Sequence, residues 1–171
     1  MKFPYFELKN YIHEHFKPEI HNLATSHFEA PDIELDYPTD LNFAYKLEEL
    51  KQIIADEHNA SLDQVLITNG ASEACFLLSA IFLDENKTCM VEKPGYPPHM
   101  QLPLGFNSNI TYLERNPSDN FKINLDTIKQ NPIPDLAFLT NLHNPSGVLE
   151  SSEILGEIAS LFSNADSIVV I

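Results

Sequence analysis

The sequence predicts an α/β fold built on a mostly parallel sheet with helices over both faces. Three observations carry this. Short β-branched runs alternate along the chain with segments of helical periodicity. Several of those runs are continuously apolar, as strands buried on both faces are. The length, 171 residues, supplies one domain's worth of chain at about 150 residues per domain.

Taken in order, residues 6–16 place Leu8, Tyr11, Ile12 and His15 at helical spacing before Pro18 ends the pattern, which predicts a short amphipathic helix. The stretch 19–40, with Pro31, Pro38 and scattered acids, reads as an irregular connection. Phe43, Leu47, Leu50 and Ile54 then lay one apolar stripe along a helix over 42–57. Val65-Leu66-Ile67-Thr68 reads as a strand ended by Asn69-Gly70. The helix that follows, 72–83, is apolar nearly all round and is expected to be buried. A strand at 89–92, a Pro-rich turn with a short helix over 98–104, a strand at 110–113 and a helix over 125–130 come next. A strand at 135–140, a helix over 152–162 and a last β-branched run at 167–171 complete the order. The chain stops inside its most strand-like run, whereas domain boundaries fall in polar linkers, so the sequence is expected to be cut there.

Composition removes several classes of function. With 43% hydrophobic and 20% charged residues, the chain is neither disordered, collagen-like nor a coiled coil. The formal net charge is −15, with nine lysines and the single Arg115, so no basic surface is available to neutralise a nucleic-acid backbone. The same charge opposes an anionic membrane surface, and the longest apolar stretch, 75–83, is far short of the roughly 20 residues a span needs. The first residues show no secretory pattern, and the expected location is the cytoplasm. Cys75 and Cys89 lie inside apolar runs and outside any Cys-x-x-Cys spacing, which fits small buried hydrophobes. His13-Glu14-His15 puts its two imidazoles on different faces of a helix, unlike a zinc-binding pair, and no metal site is expected.

Ligands of parallel α/β sheets bind beyond the carboxyl ends of strands, which directs attention to the turns after Thr68, Glu92 and Thr140. In the first, Gly70-Ala71-Ser72 opens a helix and offers backbone N–H groups and a hydroxyl to a phosphate. The same residues also serve a plain turn with Ser72 as helix cap. In the second, Glu92-Lys93-Pro94-Gly95-Tyr96-Pro97-Pro98 fixes an aromatic ring in a stiff turn, for stacking on a planar ligand or for packing on the turn itself. In the third, Thr140-Asn141-Leu142-His143-Asn144-Pro145-Ser146-Gly147 places an amide where it can donate to a ligand oxygen or simply close a turn. A rival enzyme class is a serine hydrolase with Ser72 as nucleophile. Gly70-Ala71-Ser72-Glu73-Ala74 is one residue short of a nucleophile elbow, and Asp135 and His143 follow in chain order. A non-enzymatic alternative is a phosphate- or cofactor-binding module.

Asn-Gly-Ala-Ser-Glu-Ala, Glu-x-Pro-Gly-Tyr and Asn-x-His-Asn-Pro-Ser-Gly, in this order and spacing, resemble the large domain of class I/II aminotransferases, the fold-type-I pyridoxal-phosphate enzymes. The resemblance runs from about residue 40 to Ile171. It implies a three-layer sandwich, with 1–40 as N-terminal helix and connecting segment and 41–171 as the first half of the cofactor-binding large domain. It implies pyridoxal 5'-phosphate held at its phosphate by Gly70, Ala71 and Ser72, stacked on Tyr96 and bonded at its phenolic oxygen by Asn144. The implied reaction moves an amino group between an amino acid and a 2-oxo acid, in a protein that is a homodimer at full length. The family often bends its chain through cis peptides at the positions of Lys93-Pro94 and Asn144-Pro145, so at least one of these is expected to be cis. There are two departures. Leu142 stands where the family commonly has Pro, and the Gly usual near Ala44 is missing. The family's pyridine-pairing Asp, Schiff-base Lys and substrate-carboxylate Arg lie beyond the strand that matches 168–171. None of the nine lysines here sits in a matching motif. The chain is therefore expected to be the first half of an aminotransferase, carrying cofactor contacts but not the Schiff-base Lys, and inactive alone.

Overall fold

Four of the apolar runs pair side by side as β1 (Thr88–Lys93), β2 (Asn109–Glu114), β3 (Leu136–Phe138) and β4 (Ile168–Val170). All neighbours are parallel, in the order β2-β1-β3-β4. This computed structural model describes residues 3–4, 7–15 and 43–171, so the expected connection over 19–40 lies outside the described residues. Helix α3 (Ala71–Phe82) precedes β1, α4 (Pro97–Gly105) connects β1 to β2, α5 (Leu125–Lys129) leads to β3 and α6 (Ser152–Asn164) to β4. Two consecutive prolines at its start fix the first turn of α4, where their missing N–H groups cost nothing. Ser151 Oγ caps α6 by accepting the Ile154 N–H at 3.4 Å.

The inner strands are apolar over Cys89–Val91 and Leu136–Phe138 because helices cover both faces, whereas the edge strand β2 is mostly exposed. Cys89, Val91, Leu136 and Phe138 face one side, where they pack with Cys75 and Leu83 and meet Met100 and Phe106. The alternate residues Met90 and Ala137 face the other, packing with Ile128, Ile158 and Phe162. The result is the three-layer arrangement expected of an α/β sheet, with α3 and α4 on one face and α5 and α6 on the other.

The strand order has a functional consequence. The chain leaves β1 for β2 on one side and then returns to the opposite side of β1 for β3, so the winding direction switches between β1 and β3. At such a switch the two following connections diverge and leave a crevice at the carboxyl edge of the sheet. The turns after β1 and β3 are those that carry Tyr96 and Asn144.

Two compact units are present, one comprising Met1–Tyr11 with Gly70–Ile171, the other Ile12–Asn69. Of the N-terminal elements, α1 (Glu7–His15) matches the expected first helix, though Tyr11 and Ile12 on it are 60% and 40% exposed. The second unit carries α2 (Phe43–Glu57) and a 3-10 turn at Leu62–Gln64, with Ser61 and Gln64 forming a reciprocal capping box. Here one expectation fails. Residues 65–68 form no strand among the described residues, and Leu66 is 74% exposed. The stripe on α2 is only partly covered, with Leu47 and Leu50 exposed and Ile54 half-buried. In the first unit α3 is also less buried than its composition demands. Cys75 and Ser79 face inward, while Phe76 and Ile81 remain exposed.

Candidate functional site

The first turn places Gly70 at the cap of α3 with φ +82° and ψ 174°, a conformation that L side chains rarely adopt, so glycine is required there. A Cβ at Gly70 would meet nothing within 4 Å, so the space beside it is open. The first intrahelical bond runs from Ala74 N to Gly70 O at 3.4 Å, which leaves the N–H groups of Ala71 and Ser72 without an intrahelical acceptor. Gly70, Ala71 and Ser72 are all exposed, and this end of the helix dipole favours an anion.

The second turn begins with a cis Lys93-Pro94 bond. Gly95 follows because its backbone approaches Glu92 closely, and an added Cβ would lie 2.3 Å from the Glu92 carbonyl oxygen. Gly95→Ala is accordingly expected to cost about 1–3 kcal/mol of stability, measured by urea denaturation, by forcing this turn to shift. Tyr96 caps α4, half-buried, with its ring edge-to-face against His99 at 5.2 Å between centroids. His99 stacks in turn on Phe138 at 5.0 Å and 23°. Its Nε2 lies 3.5 Å from Cys75 Sγ, one turn into α3. The chain of contacts Cys75–His99–Tyr96 therefore connects the first turn's helix to the second turn.

Burial pushes the His99 imidazole below its ordinary value. The unfolded chain binds a proton at about pH 6.5 that the folded chain resists, so this group's contribution is fully present above that pH and is lost as pH falls below it. Urea midpoints are expected to drop as the pH is lowered from about 6.5, and less steeply in His99→Gln. An identical pH profile in that variant would exclude His99 as a source of the slope.

The third turn follows β3. Its backbone contains two cis bonds, Asn144-Pro145 and the non-prolyl Asn141-Leu142, so Leu142 follows a cis bond where the resembled family commonly has Pro. Both X-Pro bonds singled out from the sequence are cis. The Asn144 N–H donates to Thr140 Oγ1 at 3.0 Å, while its side-chain amide, exposed, finds no partner among the described residues. His143, 1% exposed, places Nε2 3.0 Å from the Pro94 carbonyl oxygen and so joins the third turn to the second. The second and third turns are thus linked by contact, and the helix that follows the first turn touches the second through Cys75.

What sequence reasoning missed is the anchor beneath them. Arg115, noted in the sequence only as the single arginine, is 1% exposed. Its guanidinium donates to Glu92 Oε1 at 2.6 Å, to Glu150 Oε1 at 2.9 Å and, through Nε, to the Phe121 carbonyl at 2.6 Å. Glu92 uses its other oxygen to accept the N–H and hydroxyl of Thr140, at 2.8 and 2.7 Å. Glu150 accepts the Ile123 N–H at 2.8 Å and donates its own N–H to Asn141 Oδ1 at 2.9 Å. One cation therefore grips both ends of the segment that carries Asn144. Burial lowers the Arg115 pKa, and the two carboxylates act in the opposite direction. The available signal was a lone Arg in a strongly acidic chain, placed just past a strand end, where its planar fork suits paired carboxylates.

The hydrolase geometry is not assembled. Both His143 nitrogens are engaged, with Pro94 and, at 2.6 Å, with Ser146 Oγ. Asp135 lies before β3, at the opposite edge of the sheet, and is taken by Lys87 at 2.7 Å and the Thr88 N–H at 2.9 Å. Neither reaches Ser72. Cys75 and Cys89 are free thiols, and burial pushes Cys89 up to about 12. The described residues contain no group of three or more metal-type side chains, and no helix long and apolar enough to cross a membrane.

Comparison with known proteins gives a consistent family. The family described as aminotransferase class I and II matches residues 34–171. A probable aspartate aminotransferase of Methanocaldococcus jannaschii is 23% identical over 127 residues, 72% of this chain and 33% of the relative. Histidinol-phosphate aminotransferase 3 of Mesorhizobium japonicum is 25% identical over 137 residues, 79% of this chain and 34% of the relative. Among solved structures, an alanine aminotransferase from Pyrococcus furiosus superposes with a TM-score of 0.66 at 22% identity, over 71% of this chain and 33% of that one. The chain thus spans about a third of the length of the curated relatives it matches.

Proposed function

The chain belongs to the class I and II aminotransferase family, and from that membership we propose that its three turns form the phosphate, ring and phenolic-oxygen contacts of a pyridoxal 5'-phosphate site. In this reading the protein of which it is part moves an amino group between an amino acid and a 2-oxo acid. The observation that carries the reading is the joining of the turns after β1 and β3, where the winding switches, by His143 and Pro94, with α3, the helix opened by Gly70, in contact with the first of them through Cys75 and His99. Gly70, Ala71 and Ser72 would hold the phosphate, Tyr96 the ring face, and the free amide of Asn144 the phenolic oxygen. The residues present fit such a group: the N–H groups of Ala71 and Ser72 have no intrahelical acceptor, the space beside Gly70 is open, and the Asn144 amide has no partner among the described residues.

The chemistry such a cofactor supplies is capture of the substrate amine by its aldehyde and withdrawal of electrons into its pyridine ring. It also needs a lysine amine held beside that aldehyde. Lys51, Lys87, Lys93, Lys122 and Lys129 instead lie within 4 Å of surface or network carboxylates, of Glu48, Asp135, Glu114, Glu150 and Glu157 respectively. The proposal is therefore that this chain contributes cofactor contacts and does not transaminate alone.

The test is to titrate the chain with pyridoxamine 5'-phosphate, and separately to add pyridoxal 5'-phosphate, reduce with borohydride, map modified lysines and assay amino transfer to a 2-oxo acid. Saturable pyridoxamine-phosphate binding weakened by Ser72→Ala, Tyr96→Ala and Asn144→Ala is the expected result. Binding indifferent to all three variants would remove the site assignment. Stoichiometric labelling of one lysine with cofactor-dependent turnover would show instead that the chain is a complete catalyst.

A further inference from the structure

The turns carrying Tyr96 and Asn144 follow different strands, and the sheet by itself does not hold them together. The ladder between β1 and β3 comprises only Cys89↔Leu136, Met90↔Ala137 and Val91↔Phe138. Past Val91 and Phe138, the links between the two segments among the described residues are made by side chains. Glu92 joins the stems by accepting from Thr140, and His143 joins the tips. The Pro94 carbonyl can only accept, so Nε2 of His143 carries a proton and donates it at 3.0 Å. Nδ1 meets Ser146 Oγ at 2.6 Å, and that oxygen also accepts the Val148 N–H at 3.4 Å. The imidazole lies against Phe121, with ring centroids 6.3 Å apart and planes inclined by 29°. The backbone of His143 closes its own turn, donating to the Val148 carbonyl at 2.8 Å and accepting the Gly147 N–H at 2.7 Å. One ring nitrogen thus engages the turn just before Tyr96 and the other the turn just after Asn144.

We propose that His143 is a positioning residue that sets the separation between the Tyr96 ring and the Asn144 amide. The proposal rests on the reading of those two groups as cofactor contacts and deepens it. A planar ligand held by a ring on one face and a donor at its edge depends on that separation, whereas a free phosphate held at Gly70–Ser72 does not. His143 therefore affects recognition of the pyridine portion and leaves the phosphate portion alone.

The experiment compares the unsubstituted chain with His143→Leu, His143→Gln and Ser146→Ala, using pyridoxamine 5'-phosphate and inorganic phosphate as separate probes. Pyridoxamine phosphate avoids labelling of surface lysines because it carries no aldehyde. In His143→Leu its affinity is expected to fall about tenfold, with that of inorganic phosphate unchanged within about twofold. His143→Gln, whose amide N–H can reach the Pro94 carbonyl, recovers most of the loss. Ser146→Ala, which removes one of the two bonds, gives an intermediate loss and serves in place of the Leu variant if that fails to fold. Equal losses for both probes, or no loss of pyridoxamine-phosphate affinity, would overturn the positioning role. If the unsubstituted chain binds pyridoxamine phosphate no better than phosphate, the cofactor reading fails instead. The positioning claim is then decided by NMR. The Tyr96 ring and Asn144 amide resonances move in His143→Leu and return in His143→Gln, and resonances that stay in place overturn it.

Discussion

Replacement of Arg115 by Met is expected to lower the unfolding free energy by about 3–5 kcal/mol, because it strands the buried Glu92 carboxylate without a counter-charge and leaves buried Glu150 only the exposed Lys122, 3.7 Å away. Glu92 and Glu150 are 3% and 5% exposed, so water cannot take over the role of the guanidinium. A loss of this size is a large fraction of a stability of about 5–15 kcal/mol. Urea denaturation with an unchanged slope is the measurement. Arg115→Lys should rescue little, since an ammonium cannot reproduce the three-way fork to Glu92, Glu150 and the Phe121 carbonyl. Combining Arg115→Met with Glu92→Gln and Glu150→Gln removes the stranded charges and should recover part of the loss. A single Arg115→Met variant as stable as the unsubstituted chain would show that the network is not the anchor described above.

The second large effect is at Phe138, at the C-terminal end of β3 and fully buried. Truncation to Ala leaves a cavity in the face covered by α3 and α4, with an expected cost of about 3–5 kcal/mol. It also removes the ring on which His99 stacks, and with it the support for the edge-to-face contact to Tyr96. Phe138→Leu separates the two consequences. It restores much of the volume and none of the stacking, so stability should recover more than pyridoxamine-phosphate affinity does. If Phe138→Leu restored both equally, the His99 stack would have no part in holding Tyr96.

Legibility from the sequence followed the physics of each element. Runs such as Cys89-Met90-Val91 announce themselves because a strand covered on both faces must be apolar at consecutive positions, and β1 extends the expected strand by one residue at each end. The 65–68 run carries the same residue types and forms no strand. β-propensity describes fit to a pleated, partnered surface, and no partner strand is present there among the described residues. The composition of α3 marked it as buried, yet composition does not say which side a neighbour covers, and Ile81 lies on an uncovered one. The three turns were legible because each concentrates Gly, Pro or Asn within a few residues. The Arg115 network was not, since its partners lie 23 and 35 residues away in the chain and only folding brings them together.

The segment 139–150 contains neither helix nor strand, yet several of its amides are hydrogen-bonded. Thr140, Asn144 and Glu150 donate to the side chains of Glu92, Thr140 and Asn141, while Leu139 donates to the Val170 carbonyl at 2.9 Å. Amide protons exchange with deuterated water when the bonds that hold them open, whatever the name of the backbone conformation. The ends of this loop should therefore keep time with the sheet. Deuterium should enter Thr140 and Glu150 at rates close to those of β3, because opening them means prying Glu92 and Glu150 from Arg115 out of reach of water, whereas the exposed Asn144 should exchange sooner. An irregular stretch of backbone would then hold on as long as the sheet beside it.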